Sequence, residues 1–356
     1  MTREETPSSP PLSREETEGE RHSRSILFPG IAEAGQQRIA RFSMAIVGVG
    51  AVGAAAAELA ARAGVGRLSV IDRDVVEESN LSRQLLFDAD DAARVAPKAT
   101  AAQERLSKVA PGVSVRGVVA DLTPENAREL LEGHDLVLDA SDNFETRLLV
   151  SDASRSLGLS SIYAACVGEE GLLAVSVPGK TPCLRCYLEA LPPAGSSPTC
   201  DTVGIVPTLP PLVASLAVTE ALRIATGREP SRGVLAVRVW QEGFRSIRSF
   251  EDAGPRRDCP VCSRGSFPAL QSRAAEVVKL CGRRSVQVAP PARERPDFDA
   301  LEERLARVGR VRRSPQLLNA DVDGVSLTIF SDGRCVVRGT EDPARARRLY
   351  DRFVGR

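Results

Sequence analysis

Histidine is nearly absent: 356 residues carry two, His22 and His134. A Ser–His–Asp triad, or any scheme that leans on imidazole as general base, is poorly supplied. Long apolar runs are missing as well, since no segment reaches the ~18 uninterrupted apolar residues of a membrane span. Nor is there net charge: 47 basic and 47 acidic side chains cancel, which argues against a general nucleic-acid binder. Arg heavily outnumbers Lys, which reads as genome composition. Residues 1–20 hold six Glu, two Arg and three Pro without an apolar core. They match neither a secretion signal nor a transit peptide and are expected to form a disordered acidic tail. With no targeting segment visible, a cytoplasmic location is expected. The eight Cys would there be reduced thiols or metal ligands rather than disulfides.

What is present is a soluble composition, 42% apolar and 26% charged, in a chain long enough for two domains. Its most informative stretch is 44–84. Met44-Ala45-Ile46-Val47 reads as a strand, Gly48-Val49-Gly50-Ala51-Val52-Gly53 as a glycine turn, and an Ala-rich helix follows. Leu68 to Ile71 reads as a second strand delivering Asp72, 19 residues after Gly53. This is the order of a nucleotide-binding βαβ unit. Gly48 permits the tight turn, Gly50 lets backbone approach phosphate, Gly53 lets helix and strand pack, and Asp72 is placed for a ribose. The fingerprint alone does not choose between NAD and ATP. Further alternation of strands (113–119, 135–139, 161–165, 172–177) and helices (24–42, 146–157, 211–226) predicts an α/β fold with a Rossmann-like, doubly wound, mostly parallel sheet.

A polar cluster accompanies the turn: Ser79, Asn80, Arg83, Gln84, Lys98, Asp142 and Asn143. Arg83 and Lys98 suit a triphosphate and its charged transition state. Asp142 follows a parallel strand and suits Mg²⁺, a hard cation wanting few carboxylates beside phosphate oxygens; capping of the next helix is the bland reading. Cys183-Leu184-Arg185-Cys186 and Cys259-Pro260-Val261-Cys262 form two CxxC pairs with 72 residues between them. Four thiolates suit a closed tetrahedral Zn²⁺ site, the alternative being redox pairs or inert thiols. Cys200 stands alone in a Pro/Gly/Ser-rich stretch, 187–200, read as a mobile loop; it is either a nucleophile or a bystander. Cys166, Cys281 and Cys335 sit in apolar contexts and read as structural. Beyond a boundary near 264–272, residues 272–356 read as a small α+β module. It has a helix near 297–308, a closing helix at 342–354, and a hairpin turning on Asp332-Gly333. From 281 to 356 it carries 16 Arg against 11 acids.

Taken together, these residues resemble the ThiF/MoeB/HesA family, the bacterial relatives of ubiquitin-activating enzymes. The likeness runs from Arg21 to Cys262. It includes Arg21-His22-Ser23-Arg24, Gly35-Gln36, Ala63-Gly64-Val65-Gly66, Asp72 to Glu77, Ser79 to Gln84, Pro97-Lys98, Asp139 to Arg147, the four paired cysteines, and Thr199-Cys200 with Val203-Gly204. It implies an adenylyltransferase domain over 21–265. The expected reaction is attack by the C-terminal glycine of a small ubiquitin-like sulfur-carrier protein of the ThiS/MoaD type, ending in Gly-Gly, on the α-phosphate of MgATP. An acyl-adenylate and pyrophosphate result. By matching position Asp72 would bind ribose, Ser79, Asn80, Arg83 and Lys98 the phosphates, and Asp142 Mg²⁺. Arg24 would reach the nucleotide of a second subunit, implying a homodimer, and Cys200 would serve thiol transfer. Ala51 departs from the family's glycine-rich turn, and the segment before Lys98 is two residues longer. The readings held against this one are an NAD-dependent oxidoreductase on the same fold and a non-catalytic scaffold binding nucleotide or a ubiquitin-like protein.

Overall fold

In a computed structural model, the described residues are 14–188, 203–240, 246–250, 254–272, 277–280, 284–289 and 296–355. They build two sheets. The first contains β1 (Ser43–Val47), β2 (Arg67–Asp72), β3 (Ser114–Val119), β4 (Leu136–Asp139), β5 (Ser160–Val167), β6 (Glu170–Ser176), β7 (Val234–Arg238) and β8 (Ser246–Phe250), in the order β3-β2-β1-β4-β5-β6-β7-β8. Strands β1 to β5 run parallel, whereas β6, β7 and β8 continue as an antiparallel flank. Every residue of β1 is buried, as a central strand covered on both faces requires. One face is covered by helices Ala51–Arg62 and Leu209–Ala225, through Ala54, Ala57, Val213 and Ala217. The other is covered by Ala127–Leu131 and Phe144–Ser156, through Leu131, Leu149 and Ala153.

Register fixes where a ligand can lie. Val47 pairs with Ile71 and with Asp139, and Asp72 pairs with Val119, so four parallel strands end at one edge. Strand order reverses between β1 and β4. In open α/β sheets the crevice outside such a switch point is the ligand site.

The second sheet contains β9 (Val277–Leu280), β10 (Ser285–Val288), β11 (Arg310–Arg313), β12 (Leu317–Val322), β13 (Val325–Phe330) and β14 (Cys335–Arg338), ordered β11-β12-β13-β14-β10-β9 and wholly antiparallel. Its core, with Leu305, Leu327, Val337 and Phe353, is closed by helices Phe298–Ala306 and Pro343–Phe353. The expected hairpin is β13–β14, turning at Gly333 with φ of +85°.

Two expectations need correction. The tail expected over 1–20 gives way at Arg14 to a helix, Arg14–Ile26. The prolines at 7, 10 and 11 lie upstream of it, and the Glu- and Arg-rich run that follows is made of good helix formers. The single polar helix expected over 24–42 is two helices, Arg14–Ile26 and Ala32–Arg41. The chain turns over 27–31 and enters the second helix at Ala32, whose φ of +51° no continuous helix can hold.

Candidate active site

Gly48 has φ of +85°, and a Cβ there would lie 2.8 Å from the carbonyl oxygen of Ala140. Only glycine takes that conformation freely against such a neighbour. A Cβ at Gly53 would sit 1.9 Å from the Gly48 oxygen, so helix and strand meet at backbone distance. Gly50 differs: nothing lies within 4 Å of its missing Cβ. It lines an open cleft of about 140 Å³. The helix that begins at Ala51 has no side-chain cap from Gly50. Its first N–H groups, the positive end of the macrodipole, face a space shaped for an anion.

Of the residues expected at the site, Gly48, Gly50, Ala51, Asp72, Arg83, Gln84, Lys98, Asp142 and Asn143 all line this cleft. Asp72 accepts from the Val49 N–H at 2.6 Å and the Asp74 N–H at 2.7 Å. It thus ties the glycine turn to the loop after β2. Burial pushes its carboxyl above the ordinary value against the pull of Lys98. Lys98 reaches the cleft because Pro97 bridges to Val75 and the Lys98 N–H donates to the Asp74 carbonyl at 2.9 Å. The side chain is 2% exposed, with Nζ 3.6 Å from Asp74 Oδ2. Gln84 is 3% exposed and its Oε1 has no partner among the described residues. A buried orphan acceptor facing an open cleft is a place where a ligand completes the hydrogen bonding.

Ser79 and Asn80 do not line the cleft. Asn80 Oδ1 accepts the Glu77 N–H at 3.2 Å, closing a capping box around the 3₁₀ turn Glu78–Asn80. Its oxygen thus holds the loop, while Nδ2 lies 3.5 Å from Ser79 Oγ and Arg83 Nη1 donates back to the Ser79 carbonyl at 2.7 Å. The capping alternative for Asp142 is also decided. Asn143 is the cap of Phe144–Ser156, accepting the Thr146 N–H at 2.8 Å, while Asp142 stays exposed at the rim. Beneath them Arg147 donates to the Ser141 carbonyl at 3.2 and 3.3 Å. Its guanidinium lies 5.0 Å from the Phe144 ring centroid and 5.3 Å from that of Tyr163. Burial raises the carboxyl of Asp139, although Ser141 donates to it at 2.6 Å.

Sequence reasoning missed Arg73 and Asp121, which also line the cleft and pair at 3.2 Å. Arg73 follows directly on Asp72, so its neighbourhood was legible. Asp121 sits two residues past β3, and only the sheet order shows that β3 ends beside β2. Arg24 is exposed in the last turn of its helix and does not line this chain's own cleft. Cys200 lies outside the described residues. The chain is described again from Val203, and Ile205 bridges to Gly168 and lines the cleft.

The four paired cysteines converge away from the cleft. Their sulfurs lie within 4.8 Å of one another, with Cys183–Cys259 at 3.6 Å, Cys186–Cys262 at 3.8 Å and Cys183–Cys186 at 3.9 Å. Tetrahedral Zn–S bonds of about 2.3 Å put sulfurs roughly 3.8 Å apart, so the cluster could hold a zinc ion. A hydrogen bond from Cys183 pulls Cys262 down to about 5, and burial pushes Cys186 up to about 11. Arg185, between two of the ligands, grips Asp152 at 2.9 and 3.0 Å, and Asp152 also accepts the Ala269 N–H at 2.8 Å. Asp152 belongs to the helix that Asn143 caps at the cleft, so the clamp and the site share one rigid element. Of the cysteines read as structural, Cys166 and Cys335 are buried thiols, Cys166 lining the cleft; Cys281 lies outside the described residues.

Residues 22–261 match the ThiF family. A Bacillus subtilis protein named sulfur carrier protein ThiS adenylyltransferase is 40% identical over 338 residues, 94% of this chain and 99% of its own length. Such a match extends past residue 261 into the C-terminal module. A Thermus thermophilus sulfur carrier protein adenylyltransferase is 38% identical over 272 residues, 74% of this chain and 97% of its own. Among solved structures, E. coli MccB with ATP is similar in fold, with a TM-score of 0.59 and 21% identity over 68% of this chain and 74% of that one.

Proposed function

Because the chain belongs to the ThiF family and is an adenylyltransferase of that family's kind, we propose that it adenylates the C-terminal glycine of a small ubiquitin-like sulfur-carrier protein at the cost of ATP. The single observation that carries this reading is the cleft itself. An unfilled approach at Gly50, a helix N-terminus, and the cations Lys98, Arg83 and Arg73 gather at the switch point of the sheet. Asp72 is placed for ribose and the turn 48–53 for the phosphates. Arg83 and Lys98 are placed to hold the negative charge that builds at the α-phosphorus as the carrier's carboxylate attacks and pyrophosphate leaves. A carboxylate nucleophile needs no general base, which suits a chain with two histidines. Asp142 is the residue placed to hold Mg²⁺, which when bound would neutralise phosphate charge. Removing one such electrostatic stabiliser costs on the order of 10²–10³ in rate.

The finer parts of the proposal are these. The carrier ends in Gly-Gly and serves thiamin- or molybdopterin-type synthesis. Four thiolates hold a structural zinc. Two chains pair so that Arg24 acts on the partner's nucleotide, and Cys200, five residues before Ile205, attacks the acyl-adenylate so that the carrier is held as a thioester and AMP leaves. The setting is the cytoplasm; no helix of the described residues is long and apolar enough to cross a membrane. The test is exchange of labelled pyrophosphate into ATP in the presence of a purified Gly-Gly-tailed carrier. Exchange is expected in the wild type and abolished in Asp142→Ala with its melting curve unchanged. Protection from heat by NAD but not by MgATP would refute the proposal.

A further inference from the structure

The C-terminal module does not stand apart from the cleft. Leu317, Phe330 and Val336 of its sheet bury themselves against Val75, with Val95 and Val119 packed alongside. These three belong to the loop after β2, the turn before Lys98, and the end of β3. Two polar contacts cross the same seam. Gln287 of β10, 2% exposed, donates from Nε2 to Asp121 Oδ2 at 2.8 Å, and Asp121 Oδ1 holds Arg73 at 3.2 Å. Arg338 of β14 pairs with Glu77 at 2.5 Å, and Glu77 is the cap of the turn that leads to Arg83 and Gln84.

The Gln287 end of the first relay is fixed. Arg334 Nη1 donates to Gln287 Oε1 at 3.4 Å, while Arg334 Nε is held by Asp332 at 2.7 Å and its guanidinium lies 4.4 Å from the Phe330 ring centroid. The amide therefore has its oxygen occupied and presents its N–H to Asp121 alone. Asp121 faces Arg73 inside a cleft that also contains Asp72, Asp74 and Asp142. Without the amide on one oxygen, its carboxylate is free to swing, and Arg73 follows it.

We propose that the module buttresses the nucleotide site from behind its lining residues, and that Gln287 is a positioning residue which sets Arg73 through Asp121. This rests on the adenylation reading and deepens it. It gives the module a role in gripping ATP rather than in choosing a carrier. Losing one hydrogen bond to a half-buried carboxylate is worth about 1.4 kcal/mol, or tenfold in affinity.

The test is a double-mutant cycle on ATP affinity, by calorimetry on the full chain at 20 °C, beside melting curves. Gln287→Leu is expected to weaken ATP binding about tenfold and to raise the KM for ATP with kcat held within about twofold. In an Asp121→Asn background the same change is expected to do no more than about twofold, since the relay is already cut. A folded Gln287→Leu protein that binds ATP as the wild type does, or effects that multiply in the double variant, would overturn the inference while leaving adenylation standing. Wild-type protein that ignores ATP would overturn both.

Discussion

Replacing Gly50 with alanine separates the needs of the fold from those of the ligand. No neighbouring atom lies within 4 Å of the new methyl, but the backbone at Gly50, with φ of −80° and ψ of −148°, lies outside the regions that residues with a Cβ favour. The unfolded chain loses freedom while the folded chain takes on that strain, so Gly50→Ala is expected to change stability by less than about 2 kcal/mol. The methyl projects instead into the cleft between the glycine turn and the start of helix Ala51–Arg62. Placed against a phosphate, an added methyl in a filled site costs about 1–3 kcal/mol, a loss of roughly 5- to 150-fold in ATP affinity. Gly53→Ala is the counterpart. Its methyl would sit 1.9 Å from a backbone oxygen that cannot move without opening the turn, so that variant is expected to lose stability by more than about 4 kcal/mol. Urea melts and the KM for ATP in pyrophosphate exchange read the two variants together. A Gly50→Ala enzyme with unaltered KM would show that no phosphate approaches this turn.

Three other outcomes are expected. Asp152→Ala leaves Arg185 buried beside the cysteine clamp without its carboxylate and should cost about 3–5 kcal/mol in chemical denaturation; a loss under about 1 kcal/mol would contradict the link between clamp and helix. Asp72 and Asp139 are both raised above 3.8 by burial, so the folded protein holds their protons to higher pH than the unfolded chain does. The stability this contributes is complete below 3.8 and is lost as pH rises through their folded values. Asp139→Asn should flatten that fall in denaturation curves across the carboxylate range, and an unchanged slope would refute the sign. Cys200→Ser should leave pyrophosphate exchange intact and abolish a thioester-linked carrier on non-reducing gels; full sulfur transfer by that variant would make Cys200 a bystander.

The βαβ unit was legible because each of its constraints is local. Gly48 needs its positive φ and Gly53 meets the Gly48 oxygen five residues away, Gly50 belongs to the same turn, and Asp72 lies at the end of the next strand. Asp142 and Lys98 could be named from motifs, but their meeting at one crevice depends on the strand order, which no window of sequence contains. Asn80 and Asn143 each have a local role that the motifs did not show. A polar side chain after a strand reads as a ligand group, yet loops that end in short helices consume such groups as caps. Gln287 and Asp121 were out of reach altogether. They are 166 residues apart, and nothing in either neighbourhood announces the other. The antiparallel flank β6–β8 was half visible, since the strand at 172–177 was found but not its direction.

Asp72 spends both carboxylate oxygens on main-chain amides, one on each side of the mouth. The group best placed to choose the sugar is also the strut between turn and loop. Retargeting this protein to a dinucleotide or to a 2′-phosphorylated nucleotide, by exchanging the acid at the strand tip, is thereby closed off. A replacement short of a carboxylate releases Val49 and Asp74 together, so selectivity and architecture cannot drift independently here. Divergence among such enzymes would have to proceed through the rim instead, where Asp142 and Arg83 stand on loops rather than at a strand tip.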